Sequence, residues 1–280
     1  MHYFIGMPEW RHPGWYAHRP DSPLSVYAKH FNSIEGNSTF YALPSEKSVA
    51  AWRESVPAHF RFCFKFPRDI SHEAQLRHCG ADLRVFFDRL APLADKMGIL
   101  WLQMGPQFTP QHLPELARFL SQLPPDFRYG IEVRHDGFFR KDDTEARFNR
   151  LLADRGINRV MFDTRKLFAH PAHDDASREA LKKKPRFPLH VLATGESPLV
   201  RFISPMDLTL AHQALAQWAD KVCEWINEGR TPYLFFHTPD LLEAPQLARW
   251  FTTLLAERDP RLTPLSLWPL PPAQDSLSLF

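Results

Sequence analysis

The 280-residue chain carries little that would staple, anchor or export it. Its three cysteines, Cys63, Cys79 and Cys223, are odd in number and widely spaced, and no Cys-x-x-Cys pair occurs. That usage points to reduced, structural thiols and away from a disulfide framework. No window approaches the roughly 20 apolar residues of a membrane span. The opening Met-His-Tyr-Phe-Ile-Gly-Met-Pro-Glu-Trp lacks the basic stretch and apolar run of a signal peptide. A cytoplasmic protein with no membrane partner is expected. Charge of one sign is also scarce: the net charge is only +2, beside 14 histidines. Such balance argues against bulk coating of nucleic acid while allowing a local basic site. There is no His-Glu-x-x-His and no Gly-x-Ser-x-Gly, so neither a zincin helix nor a nucleophile elbow is indicated.

What the chain does have is rhythm. Eight short apolar runs (residues 3–7, 33–40, 61–66, 97–104, 128–134, 159–164, 199–204 and 232–238) alternate with amphipathic stretches at 24–31, 45–55, 82–95, 110–122, 144–155, 207–228 and 245–257. Alternation of this kind implies βαβ units and a parallel sheet, and eight strands close naturally into a barrel. The predicted fold class is therefore α/β, a (β/α)8 TIM-barrel-like single domain over residues 1–258. A doubly wound open sheet is the rival, but it would place a glycine-rich turn after its first strand, and Gly6-Met-Pro-Glu-Trp is not one. The 26 prolines fall mostly at segment ends, as punctuation. Ser45 and Thr109 are placed to cap helices, and Gly156 and Gly229 to stop them. The rhythm breaks once, at residues 166–197, which show little helical period and read as a long irregular excursion after strand six, a lid in place of a compact helix. The proline-rich segment 259–280, with Trp268 and several leucines, reads as a tail packed on the barrel or on a partner subunit; nothing in the sequence sets the oligomeric state.

Barrel strands point alternate side chains into the lumen, and the last of these line the C-terminal face where barrel enzymes keep their sites. That rule selects Glu35 and Asn37 on strand two, with Thr39 beyond, then Lys65, Gln103, Glu132 and Arg134, Asp163, Arg201 and His237 on the following strands. Any one of these is explicable as a satisfied buried polar group. Six formal charges together are costly to bury unless each is paired, so a purely structural barrel has no reason to collect them. The three acids balance Lys65, Arg134 and Arg201, while Arg68, His72, His135 and Arg165 on the following loops make the mouth more basic than the floor. Arginine forks favour carboxylate or phosphate, so a small anionic or phosphorylated molecule is the expected partner. Glu35, Glu132, Asp163 and His237 are the candidate catalytic residues. Asn37, Tyr41, Lys65, Arg68, His72, Gln103, Arg134, His135 and Arg201 are the candidate substrate-binding residues. No cofactor is expected and no metal ligand is assigned, although the same four candidates include the hard donors of a divalent metal. Trp10, Trp15, Tyr16, Phe40, Tyr41, Phe138 and Phe139 either stack on a sugar or base or simply pack the rim.

At these residues the chain resembles a known family. The run from Tyr27 through Ile34-Glu35-Gly36-Asn37-Ser38-Thr39-Phe40 to Tyr41 is similar to the signature of the YecE-like family, a domain of unknown function. So are Phe64-Lys65-Phe66-Pro67-Arg68-Asp69-Ile70-Ser71-His72, Glu132-Val133-Arg134-His135 and Phe236-His237-Thr238-Pro239-Asp240. The resemblance covers nearly the whole chain and implies a TIM-barrel-like fold; it implies no chemistry, because the family lacks an established activity. Two departures stand out. Pro8-Glu9-Trp10 replaces a small Thr/Ser-Gly-Trp turn, and Phe202-Ile203-Ser204 replaces an Arg-Phe-His-Gly-like strand end, which removes a histidine from the site.

Three functions of different class follow. The first is an enzyme (a hydrolase, lyase or isomerase) acting on a phosphorylated or otherwise anionic substrate, with Glu132 or Glu35 transferring the proton, Lys65, Arg134 and Arg201 clamping the anion and His237 assisting. The second is a nucleic-acid-binding or -processing protein whose basic rim and Lys182-Lys183-Lys184 track phosphates. The third is a non-catalytic ligand sensor that docks through its tail.

Overall fold

A computed structural model of the chain describes residues 2–15 and 23–266. Eight strands run parallel: β1 (Phe4–Gly6), β2 (Ser33–Gly36), β3 (Arg61–Lys65), β4 (Met97–Gln103), β5 (Arg128–Glu132), β6 (Asn158–Asp163), β7 (Leu199–Ile203) and β8 (Tyr233–His237). Hydrogen-bonded neighbours follow the order β1-β8-β7-β6-β5-β4-β3-β2. The seam between β1 and β2 is closed mainly by side chains. Tyr27 donates its hydroxyl to Ser33 O and accepts from Met7 N, and the Asn32 amide bridges Ile5 N and Tyr3 O. One backbone bond, Glu35 N to Met7 O, completes the seam. Glycine is required at position 6, because a Cβ there would lie 2.1 Å from Ser33 O.

The strands are short, apolar and buried on both faces, as strands sandwiched between a filled lumen and an outer helical layer must be. Phe4, Cys63, Ile99, Trp101, Val160, Leu199, Tyr233 and Phe235 fill the lower lumen. The helices are α1 (Pro23–Tyr27), α2 (Ser38–Tyr41), α3 (Glu46–Ser55), α4 (Gly80–Leu90), α5 (Leu113–Leu120), α6 (Asp143–Ala153), α7 (Arg165–Phe168), α8 (Asp175–Lys183), α9 (His212–Asn227) and α10 (Ala244–Arg258). Ser45 caps α3 by accepting from Ser48 N, and Gly156 and Gly229 adopt the positive φ that ends a helix. None of the described helices is long and apolar enough to cross a membrane. Leu262, just beyond α10, is buried against the core; Tyr16 and Trp268 lie outside the described residues.

Two elements differ from expectation. The second strand stops at Gly36, and residues 38–41 turn into α2, where Thr39 donates its hydroxyl to Lys65 O. The excursion after β6 is more regular than its sequence indicates: it holds α7 and α8, the latter capped by Asp174, whose carboxylate accepts from Ser177 N. α8 is rich in charge, which hides its period, yet Ala180 is buried with Leu167 of α7 against Ile203 at the end of β7. The excursion therefore lies across the barrel mouth. Its return path is fastened by Thr164 Oγ1 to Pro185 O, by Phe187 stacked on Phe139 (4.9 Å between centroids), and by His190 on the buried Glu145–Arg159 pair.

Candidate active site

β2, β3, β4, β5, β7 and β8 each deliver a polar side chain to one point above the aromatic floor. Arg201 is the hub. It donates from Nε and Nη2 to both oxygens of Glu35 (2.9 and 2.6 Å) and from Nη1 to Glu132 Oε2 (2.7 Å). The other Glu132 oxygen is held by Arg134 at 2.8 Å, and Arg134 also donates to Gln103 Oε1 at 2.9 Å. Lys65 Nζ donates to the same Gln103 oxygen at 2.8 Å. Glu35 further accepts from Asn37 Nδ2 (2.9 Å) and lies 2.9 Å from His237 Nε2. Glu35, Glu132, Lys65, Gln103, Arg201 and His237 are all buried.

Electrostatics sort these groups. Burial alone would raise both acids, but Arg201 and His237 outweigh it at Glu35 and hold its carboxyl well below the usual range. Arg201, Arg134 and Lys65 do the same at Glu132 and bring it to about 2. Both acids are thus ionised and saturated with donors. Burial drives His237 down to about 4 against the pull of Glu35, so its imidazole is neutral; an ionised Glu35 selects the tautomer that donates from Nε2. Burial, reinforced by Arg201 and Arg134, lowers Lys65 from 10.5 to about 7.

The structure does not bring every candidate here. Asp163 points to the outer layer, where it accepts from Trp218 Nε1 (2.9 Å) and pairs with Arg165. Phe162 takes the lumenal place instead, with the Arg201 and Arg134 guanidiniums 4.8 and 5.6 Å from its ring centre. His72 stays at the mouth, edge-on to Phe40 and bonded to Ser71; burial and Arg68 lower its pKa. Arg68 pairs with Glu73 on the surface. His135 turns away and accepts from Gly137 N, while Tyr41 is exposed on the rim. The residue absent from the sequence candidates is Lys184, which the sequence offered only within the basic Lys182-Lys183-Lys184 run. Lys183 pairs with Glu179 on the surface of α8, but Lys184 turns inward over the network; burial and Arg201 lower it to about 8, and Glu35 and Glu132 partly offset them. Only the path of the excursion places it there. Among the described residues no three His, Cys, Asp or Glu side chains converge as a metal-ligand set. Arg201 itself fills the space between the two glutamates.

Fold and site define a (β/α)8 barrel with a charge-paired lumen covered by the segment after its sixth strand. The chain belongs to the family described as protein of unknown function DUF72, which it matches over residues 4–273. It is 44% identical over 274 residues to the UPF0759 protein YecE of Escherichia coli (strain K12), covering 98% of this chain and 99% of that one, and equally similar to YecE of Escherichia coli O157:H7. The YecE-like resemblance of the motifs is thereby shown. Among solved structures, a DUF72 family protein from Enterococcus faecalis superposes with a TM-score of 0.70 at 18% identity, covering 97% of this chain and 99% of that one. One from Thermotoga maritima gives 0.62 at 18% identity, covering 90% and 98%. At that identity these two matches show the shared fold alone.

Proposed function

We propose that this protein is an enzyme that binds a small anionic molecule, phosphorylated or carboxylated, at the barrel mouth and moves a proton with Lys65. The observation that carries this reading is that Lys65 and Lys184 face the mouth with no carboxylate partner among the described residues, above a floor whose acids are already saturated by Arg201 and Arg134. Glu35 and Glu132 cancel the two arginines, and His237 is neutral, so the lysines leave the mouth between one and two charges positive near neutral pH. An anion supplies the missing partner. Arginine-bound carboxylates held this firmly ionised are poor proton carriers near neutrality. The proton-transfer role first assigned to Glu132 or Glu35 therefore moves to Lys65, an amine that titrates where a proton carrier is most effective. Glu132 and Glu35 act as fixed charges that hold Arg201, while Arg134 and Gln103 orient the anion. Unprotonated, Lys65 is also competent as a nucleophile toward a carbonyl.

The test is calorimetric titration with inorganic phosphate and with a panel of phosphomonoesters and carboxylates, followed by turnover assays on whatever binds. Binding should occur in the wild type and fail in Lys65→Met and Lys184→Met. Equal binding by all three proteins would place the anion elsewhere.

A further inference from the structure

On the rim between the β1 and β2 ends lies a cleft of about 420 Å3 that the reading above does not use. We propose that this cleft seats a sugar ring, so that the ligand is a sugar phosphate whose anion lies over Lys65 and Lys184; the anion half of this inference rests on the proposed function, the sugar half on the cleft alone.

The cleft has the size of a small-molecule site, within the range of about 300–1,000 Å3. Its apolar wall is aromatic: Trp52, Trp10 and the exposed Tyr41. Its edge is polar and mixed, with the Glu9 carboxylate, the Arg11 guanidinium, the Ser48 hydroxyl and the Asn37 amide. A wall of this kind suits the C–H face of a pyranose or furanose, and an edge that both donates and accepts suits its hydroxyls. A nucleobase fits less well. Trp10 and Trp52 meet at 78°, with centroids 5.5 Å apart, so they form no parallel slot. Trp52 also lies nearly parallel to Phe62 and Phe64, at 28° and 27°, which commits its ring to the layer beneath.

Asn37 joins the cleft to the charged network. It lines the cleft while its Nδ2 donates to Glu35 Oε1, Glu35 O and Pro8 O. Those three acceptors fix the orientation of the amide, since a flipped Asn37 would turn its oxygen on all of them. Its Oδ1 is then a buried acceptor with no donor among the described residues, which a ligand hydroxyl would satisfy. On the other side Tyr41 meets Phe40 edge-on at 5.1 Å, and the Phe40 ring centre lies 5.3 Å from Lys65 Nζ. Asn37 thus touches the charged network directly, and one ring, that of Phe40, separates Tyr41 from Lys65.

The experiment compares inorganic phosphate, glucose 6-phosphate, ribose 5-phosphate, AMP and free glucose by calorimetry on the full chain. Sugar phosphates should bind about tenfold more tightly than inorganic phosphate, the gain that one stacked ring confers. Tyr41→Ala, at an exposed ring, and Ser48→Leu, which intrudes on the cleft, should each reduce that ratio to near one, with inorganic phosphate on the same variant as reference. Sugar phosphates no tighter than phosphate, a ratio unchanged in both variants, or a gain confined to AMP would each overturn the sugar assignment and leave the anion reading intact. Binding of free glucose, lost in Ser48→Leu, with no phosphate species bound, would instead sink the anion reading and support the cleft. Binding of none of the five would overturn both.

Discussion

Replacing Lys65 by methionine should stabilise the protein while abolishing its activity. The Nζ is buried at the end of β3, and its pKa falls from 10.5 to about 7. At 1.36 kcal/mol per pH unit, keeping the ammonium charged in the folded state costs roughly 5 kcal/mol. Against this stand two cation–π contacts, with Phe40 and Trp101 centred 5.3 and 5.6 Å from Nζ, together about 1–2 kcal/mol. The net gain from Lys65→Met is then about 3 kcal/mol below pH 7, in line with other buried ions replaced by apolar residues. No new orphan is created, because Gln103 Oε1 still accepts from Arg134. The sign of the pH dependence follows from the lowered pKa. Between about 7 and 10.5 the unfolded chain holds a proton that the folded chain has released, so wild-type stability rises with pH across that window. Below 7 both states are protonated and the full cost is present. Urea denaturation at pH 6, 7.5 and 9 should therefore show the variant well above wild type at pH 6, with the gap narrowing at pH 9. A variant no more stable at pH 6, or a gap independent of pH, would refute the assignment of Lys65 as an unpaired, strained charge.

Two further predictions concern stability. Arg201→Met strips two buried carboxylates of their main donor and should cost about 3–5 kcal/mol at pH 7. Glu132 has its folded pKa depressed from 4.5 to about 2, so its contribution is full above 4.5 and fades as pH falls through 2; the variant, whose acids protonate more readily, should lose less at pH 4 in urea, and an equal loss at both pH values would contradict the pairing. Gly6→Ala forces a Cβ against Ser33 O at 2.1 Å and should cost about 3 kcal/mol; an unchanged thermal midpoint would show that the β1–β2 seam is looser than described.

Much of the site was legible because strand parity is rigid. Once Glu35 is set facing the lumen, Ser33 follows, and the same step of two finds Lys65, Gln103, Glu132, Arg201 and His237; Asn37 and Arg134 lie just past their strand ends and still bond to Glu35 and Glu132. Asp163 defeats the rule for a physical reason. β6 is buried on both faces, and a strand that is apolar on both faces carries no alternation to reveal its register. Its polar residues occur on both sides, with Arg159 and Asp163 outward and Asn158 inward, so the last charged residue draws the eye while Phe162 takes the lumenal place. Residues 38–41 deceive in a second way. Ser-Thr-Phe-Tyr has high strand propensity, yet the chain turns because Thr39 bonds back to Lys65 O. Lys184 stood out only as one of three adjacent lysines, and pattern could not single it out, since its place depends on Leu167 and Ala180 seating the excursion on Ile203.

The saturated floor bears on why a barrel would keep such charges. Buried ion pairs are weak sources of stability, and apolar residues of equal volume would serve the fold as well or better. Glu35, Glu132, Arg201 and Arg134 cancel in charge, so their value lies in direction. They fix the Arg201 and Arg134 forks and the Gln103 carbonyl beneath the two lysines. Burial lowers Lys65, with Arg201 and Arg134 adding to the effect and Glu35 and Glu132 opposing them. An arriving dianion would neutralise Lys65 and Lys184 together and raise both amines toward their ordinary values. Substrate binding would then draw a proton onto Lys65, which leaves it as the general acid of the bound complex. A phosphate monoester, which carries close to two charges at neutral pH, matches that deficit better than a single carboxylate does.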